Sequence, residues 1–253
     1  MHILVTNDDG VQAPGLLNLA QEMRKLGRVT VLAPDHNWSA SGHVKTMERP
    51  LRVRETALAD GSAAFMSDGA PSDCVALALL GLVDPADIVI SGINPNANIG
   101  HDVTYSGTVT AAMEAVIDGV KGIAVSLHSP EGFKGQLDYS TAALVARRVA
   151  EKVMSDGLPK GVVLNVNVPY LKENELKGTM ITRQGLRVYR DALDQRMDPR
   201  GKPYYWIGGE APTAVDEPGT DFGALTAGYV SITPLQLDLT NYKAMDVLKK
   251  WKF

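Results

Sequence analysis

Apolar residues along this chain fall into two rhythms. Short unbroken runs at Ile3–Val5, Val29–Ala33, Ile88–Ile90, Ile123–Leu127 and Val162–Val166 have the length and β-branched content of buried strands. Longer stretches with helical spacing lie between most of them. Pro14 suits a first helical position, and Leu16, Leu19, Ala20, Met23 and Leu26 then keep a 3.6-residue stripe that Gly27 ends. After Ser106-Gly107, the set Val109, Ala112, Met113, Val116, Ile117 and Val120 follows the i, i+3, i+4, i+7 rule. Cys74–Leu80 is an apolar helical run, and another helix passes through Ala142, Val145, Ala146, Val149 and Val153. Alternation of this kind predicts an α/β fold: a three-layer, Rossmann-like, mostly parallel sheet with helices on both faces.

Two stretches break the rhythm. Residues 35–70 hold no helical pattern, and Leu51-Arg52-Val53 with Ala64-Phe65-Met66 reads as an inserted strand pair. From about residue 180 the chain turns rich in Gly, Pro and aromatics, with strands at Tyr204–Ile207 and Tyr229–Ile232 and a last helix holding Met245, Leu248 and Trp251. The expected division is an α/β core over residues 1–180 and a β-rich C-terminal extension over 181–253. Aromatic strand pairs outside such a core either make subunit contacts or cap the sheet.

Composition narrows the function classes. A length of 253 residues supports a sizeable core, and 45% hydrophobic with 21% charged residues is ordinary for a globular protein. The net charge of −4 provides no broad cationic field, so a nucleic-acid duplex is not an expected partner. No segment reaches the ~18–20 consecutive apolar residues of a membrane span. The first apolar run meets Asp8 and Asp9 too soon for a signal peptide, and the lone Cys74 excludes an intrachain disulfide. A cytoplasmic protein with a buried, inert thiol is expected.

Three loops that follow strands are unusually polar, and in a parallel sheet they share one edge. They are Asn7-Asp8-Asp9-Gly10, Pro34–His43 and Ser91–Gly100. Adjacent carboxylates repel and raise each other's pKa unless positive charge lies between them. Carboxylates, hydroxyls and amide carbonyls are hard oxygen donors suited to Mg²⁺, Mn²⁺ or Ca²⁺, whereas zinc would want a His or Cys cluster that is missing here. Each loop also has a plain reading: Asp-Asp-Gly as a turn, Asp8 as a helix cap, His43 and His101 as hydrogen-bonding loop residues. Convergence of the three favours a site. Tyr105-Ser106-Gly107-Thr108 opens a helix, where Ser106 can be a simple N-cap or where free N–H groups can cradle an anion.

These residues resemble the SurE family of metal-dependent 5′-nucleotidases. The similarity lies in Ile3–Gly10, Ser39-Ala40-Ser41-Gly42-His43, Ser91-Gly92-Ile93-Asn94 and Ser106-Gly107-Thr108-Val109. Weaker matches are Pro71–Val75, Asn165-Val166-Asn167-Val168-Pro169 and Ile232-Thr233-Pro234-Leu235, so the likeness spans nearly the whole chain. It implies that Asp8, Asp9, Ser39 and Asn94 bind one divalent cation per subunit, Mg²⁺ or Mn²⁺, with Asp8 and Asp9 catalytic. It also implies that Asn98, Ser106, Gly107 and Thr108 hold the substrate phosphate, and that the C-terminal part builds a homodimer or homotetramer. One departure stands out: Asn96 occupies the middle glycine of the family's Asn-x-Gly-x-Asn-x-Gly loop. If that position needs positive φ, Asn is the least costly replacement.

The expected reaction is hydrolysis of nucleoside 5′-monophosphates or other small phosphate esters, with 3′-nucleotidase or exopolyphosphatase activity beside it. Asp8 or Asp9 would orient or deprotonate the attacking water, and His101 is a candidate leaving-group acid. Two other classes compete. A metal-dependent amide deacetylase also uses an Asp-Asp pair but needs histidine ligands, and a nucleotide sensor would keep the cradle without the chemistry.

Overall fold

The computed structural model describes residues 1–252, apart from the side chain of Ala211. Strand β1 (His2–Thr6) alternates perfectly between two cores: Ile3 and Val5 point to one face of the sheet and Leu4 to the other. Helix α1 (Pro14–Met23) starts on Pro14 and buries Leu16, Leu19, Ala20 and Met23, the expected stripe. Strand β2 (Arg28–Pro34) then pairs in parallel with β1.

The expected inserted pair forms as β3 (Val53–Ala57) and β4 (Ala63–Ser67), antiparallel to each other. It is no separate insert, because β4 also pairs in parallel with β2 and extends the main sheet. Helix α2 (Pro71–Leu77) carries the fully buried Cys74, whose thiol is pushed far up by burial. Strand β5 (Ile88–Asn94), helix α3 (Gly107–Ile117), strand β6 (Lys121–His128), helix α4 (Ser140–Asp156) and strand β7 (Val162–Pro169) complete the alternating core. Helices α1 and α4 cover the Ile3 face, and α2 and α3 cover the Leu4 face.

Helix α3 departs from the simple stripe. Ile117 is 57% exposed, while Ala111, Glu114 and Ala115 are buried. The helix is covered by α2 as well as by the sheet, so its inward side is wider than the sheet-facing row that periodicity picks out.

The chain beyond residue 180 is divided between two structures. Strand β8 (Thr179–Ile181), helix α5 (Asp221–Thr226) and strand β11 (Val230–Gln236) return to the core. β11 pairs antiparallel with β7 and parallel with β8, giving nine strands in the order β3-β4-β2-β1-β5-β6-β7-β11-β8. The strand expected at Tyr229–Ile232 is therefore a sheet strand, selected by a buried Val230–Thr233 run. Strand β9 (Arg187–Met197) pairs with β10 (Pro203–Ala214) as a separate two-stranded sheet. Its Leu193, Trp206 and Ile207 are exposed, and helix α6 (Tyr242–Leu248) has no buried residue.

Candidate functional site at the carboxyl edge of the sheet

Because β1, β2, β5, β6 and β7 run parallel, the loops that follow them gather at one edge. The first holds the two aspartates. Gly10 adopts φ +101, and this left-handed turn bends the chain sharply after Asp9. Asn7 is fully buried and braces the turn by donating from Nδ2 to the Gly10 carbonyl at 3.0 Å.

Asp8 is buried and faces the start of α3. Its Oδ1 accepts from Thr108 Oγ1 at 2.5 Å and its Oδ2 from Thr108 N at 3.1 Å. A positive helix terminus thus meets a carboxylate. Burial nevertheless dominates and raises the Asp8 pKa, with the bonds from Thr108 opposing it. Gly107 makes the approach possible: a Cβ there would lie 2.8 Å from the Asp8 Cβ. Asp8 does not cap α1, whose N-cap Ala13 has no side-chain bond.

Asp9 is less enclosed and makes one weak contact, from Asn37 Nδ2 at 3.4 Å. Burial first and the Asp8 charge second push its pKa up to about 7. Among the described residues no lysine, arginine or histidine forms an ion pair with either aspartate, and none is a leading cause of their shifts.

The second loop is tied down at several points. Trp38 N donates to the Asp8 carbonyl at 2.8 Å, which brings the exposed Ser39 beside the aspartates. Farther along, Gly42 N donates to the Tyr105 carbonyl at 2.9 Å. The buried Glu114 of α3 accepts from His43 Nε2 at 2.8 Å and from Lys45 Nζ at 3.1 Å. His43 is thus a hydrogen-bonding loop residue, as expected.

In the third loop Asn94 donates to the Asn96 carbonyl at 2.5 Å, and the buried Asn98 donates from Nδ2 to Ser126 Oγ at 2.9 Å. Asn96 does not need positive φ: among the described residues Ala40 is the one non-glycine with that geometry. A family glycine can therefore be replaced here without strain. Ser106 is the N-cap of α3, its Oγ accepting from Val109 N at 3.1 Å. His101 is exposed.

Asp8, Ser39, Asn94, Asn98 and Ser106 line one cleft of about 1140 Å³. Asp9, Gly107 and Thr108 are not among the residues that line it. The lining also includes Tyr105, from the motif that opens α3, and His128, Arg187, Tyr189 and Phe222, which the sequence did not single out. Arg187 pairs with Asp102 at 2.9 Å, and Tyr189 donates to the same carboxylate at 2.5 Å. These residues come from β9 and the turn before α3, and no local pattern in the sequence marks them.

The donor set suits a hard divalent cation. Two carboxylates without a cationic partner stand beside a hydroxyl and an amide, all oxygen donors. No group of three or more His, Cys, Asp and Glu side chains able to hold a metal occurs among the described residues.

Comparison with known proteins gives the family. The family model described as "Survival protein SurE" matches residues 3–191. The chain belongs to the SurE family. It is 54% identical over 242 residues to the 5′-nucleotidase SurE of Herpetosiphon aurantiacus, covering 95% of this chain and 94% of that protein. It is 49% identical to the 5′-nucleotidase SurE of Chloroflexus aggregans over the full length of both. The crystal structure of the SurE protein from Aquifex aeolicus superimposes with a TM-score of 0.82 at 41% identity, covering 98% of each chain. Within this SurE fold, Thr108, which the resemblance implies as a phosphate contact, is also the partner of Asp8. Its hydroxyl and amide both engage Asp8, so it orients a carboxylate.

Proposed function

We propose that this protein hydrolyses nucleoside 5′-monophosphates to nucleoside and phosphate, using one divalent cation per subunit, Mg²⁺ or Mn²⁺. The observation that carries the reading is a cleft lined by Asp8, Ser39, Asn94 and Asn98, with Asp8 and its neighbour Asp9 left unneutralised. The names of the relatives support the same activity.

Asp8, Asp9, Ser39 and Asn94 would hold the cation. When bound, it supplies positive charge that polarises a phosphoryl oxygen and acidifies nearby water. Asp8 is held in one orientation by Thr108. Asp9 has the freer carboxylate and is the better group to orient the attacking water and take its proton. The Asn98 amide and the N-terminal turn of α3 at Ser106 and Gly107 face charge developing on the phosphoryl oxygens. 3′-Nucleotides and short polyphosphates are further candidate substrates of the same site.

The exposed apolar faces of the β9–β10 hairpin and α6 support a homodimer or homotetramer. No helix among the described residues is long and apolar enough to cross a membrane, and the single cysteine accords with a cytoplasmic setting.

The test is phosphate release from AMP and GMP with and without EDTA. Release that stops with chelator and returns with Mg²⁺ or Mn²⁺ is expected. Release indifferent to chelation contradicts the metal role. No release from any phosphate ester would favour a nucleotide sensor, and release of acetate from acetylated amines a deacetylase.

A further inference from the structure

Strand β7 carries two asparagines, Asn165 and Asn167, and both are completely buried. Their spacing puts them on the same face of the sheet. A buried amide in a central strand is unfavourable unless its polar atoms are bonded, so the destinations of those bonds are informative. All of them go to one residue. Asn167 Oδ1 accepts from Asn98 N at 2.8 Å, and Asn167 Nδ2 donates to the Asn98 carbonyl at 3.1 Å. Asn165 Nδ2 donates to that same carbonyl at 2.8 Å. Asn167 therefore treats Asn98 as a neighbouring strand would, offering one donor and one acceptor to its backbone.

The side chain of Asn98 is held from a third direction. Its Nδ2 donates to Ser126 Oγ, and Ser126 is the register partner of Asn167 across β6 and β7. A primary amide has two N–H donors, so the bond to Ser126 leaves one for a ligand in the cleft. Asn165 also leaves its own Oδ1 buried without a partner. An apolar residue would avoid that penalty, so packing alone does not account for an amide there.

We propose that Asn165 and Asn167 are positioning residues for phosphate binding, acting through Asn98. They lock its backbone so that its remaining amide N–H stays directed at the phosphoryl group. The proposal rests on the reading of Asn98 as a phosphate contact.

The experiment is a double-mutant cycle on Asn98→Ala, Asn167→Ala and the combined variant. It reads KM for AMP, the inhibition constant of inorganic phosphate, and Mn²⁺ affinity by calorimetry. Loss of a buried hydrogen-bonding partner predicts that Asn167→Ala weakens phosphate binding and raises KM by about tenfold. Mn²⁺ affinity should stay within about twofold, and the combined variant should bind phosphate no more weakly than Asn98→Ala alone, because coupled sites are not additive. A folded Asn167→Ala that binds phosphate like the parent overturns the proposal. So do losses that multiply in the combined variant, or Mn²⁺ affinity that falls in step with phosphate affinity. If Asn167→Ala does not fold, Asn165→Ala removes one donor to the same carbonyl and carries the cycle with the same criteria. Parent-like phosphate inhibition in Asn98→Ala overturns the phosphate role of Asn98 itself, and the proposal with it.

Discussion

Thr108 grips Asp8 with two groups at once, its hydroxyl at 2.5 Å and its backbone N–H at 3.1 Å. The bond joins the carboxyl end of β1 to the first turn of α3, so the positive end of a helix orients a carboxylate whose pKa burial raises and the bonds from Thr108 lower. Thr108→Val keeps the shape and removes the hydroxyl. A hydrogen bond to a charged group contributes about 1.5–3 kcal/mol, so kcat/KM should fall roughly 10- to 100-fold. Thr108→Ser should retain most activity. Equal rates for the Val and Ser variants would show that the hydroxyl is idle.

Gly107 stands where a side chain would strike Asp8, 2.8 Å from its Cβ. Gly107→Ala should displace the α3 terminus or Asp8 and reduce turnover at least tenfold, with a stability loss of about 1–3 kcal/mol from overpacking. Urea unfolding and steady-state rates measured on the same sample check both parts. Parent-like kinetics would mean that the site tolerates a shift of this helix.

Asp8→Asn and Asp9→Asn should each abolish turnover while circular dichroism and the melting transition remain those of a folded protein. Removing one of two crowded like charges relieves their repulsion, so neither change should harm the apo fold. Near-normal phosphate release with Mg²⁺ or Mn²⁺ in either variant would refute the assigned roles.

Glu114 is buried beneath the Ser39 loop and anchors it through His43 and Lys45. Glu114→Ala should free that loop, seen as faster limited proteolysis between residues 38 and 46. Mn²⁺ affinity should drop by roughly tenfold because Ser39 is no longer held in place, a loss of about 1.4 kcal/mol. Unchanged proteolysis and unchanged Mn²⁺ affinity would mean that the other ties to the loop suffice.

Periodicity alone predicts the alternation of strands and helices, the stripe of α1 and the polar loops at the strand ends, because each is a local pattern of spacing. Local chemistry marks the Asp8–Asp9 pair, the polar loops and the start of α3, while Ser39, Asn94 and Asn98 are picked out within those loops by the likeness to the SurE family. Other features depend on residues far apart in the chain. Periodicity leaves Ile117 inside α3, whereas the packing of α2 against that helix turns it outward. It does not show that β11 returns to pair with β7, or that Arg187 and Tyr189 close on Asp102 across the cleft. Nor does it show that Thr108 holds an aspartate 100 positions earlier, or that Asn167 holds a loop 69 positions earlier. Chain order carries the donors and acceptors, but which of them meet is decided when parallel strands bring their ends to one edge.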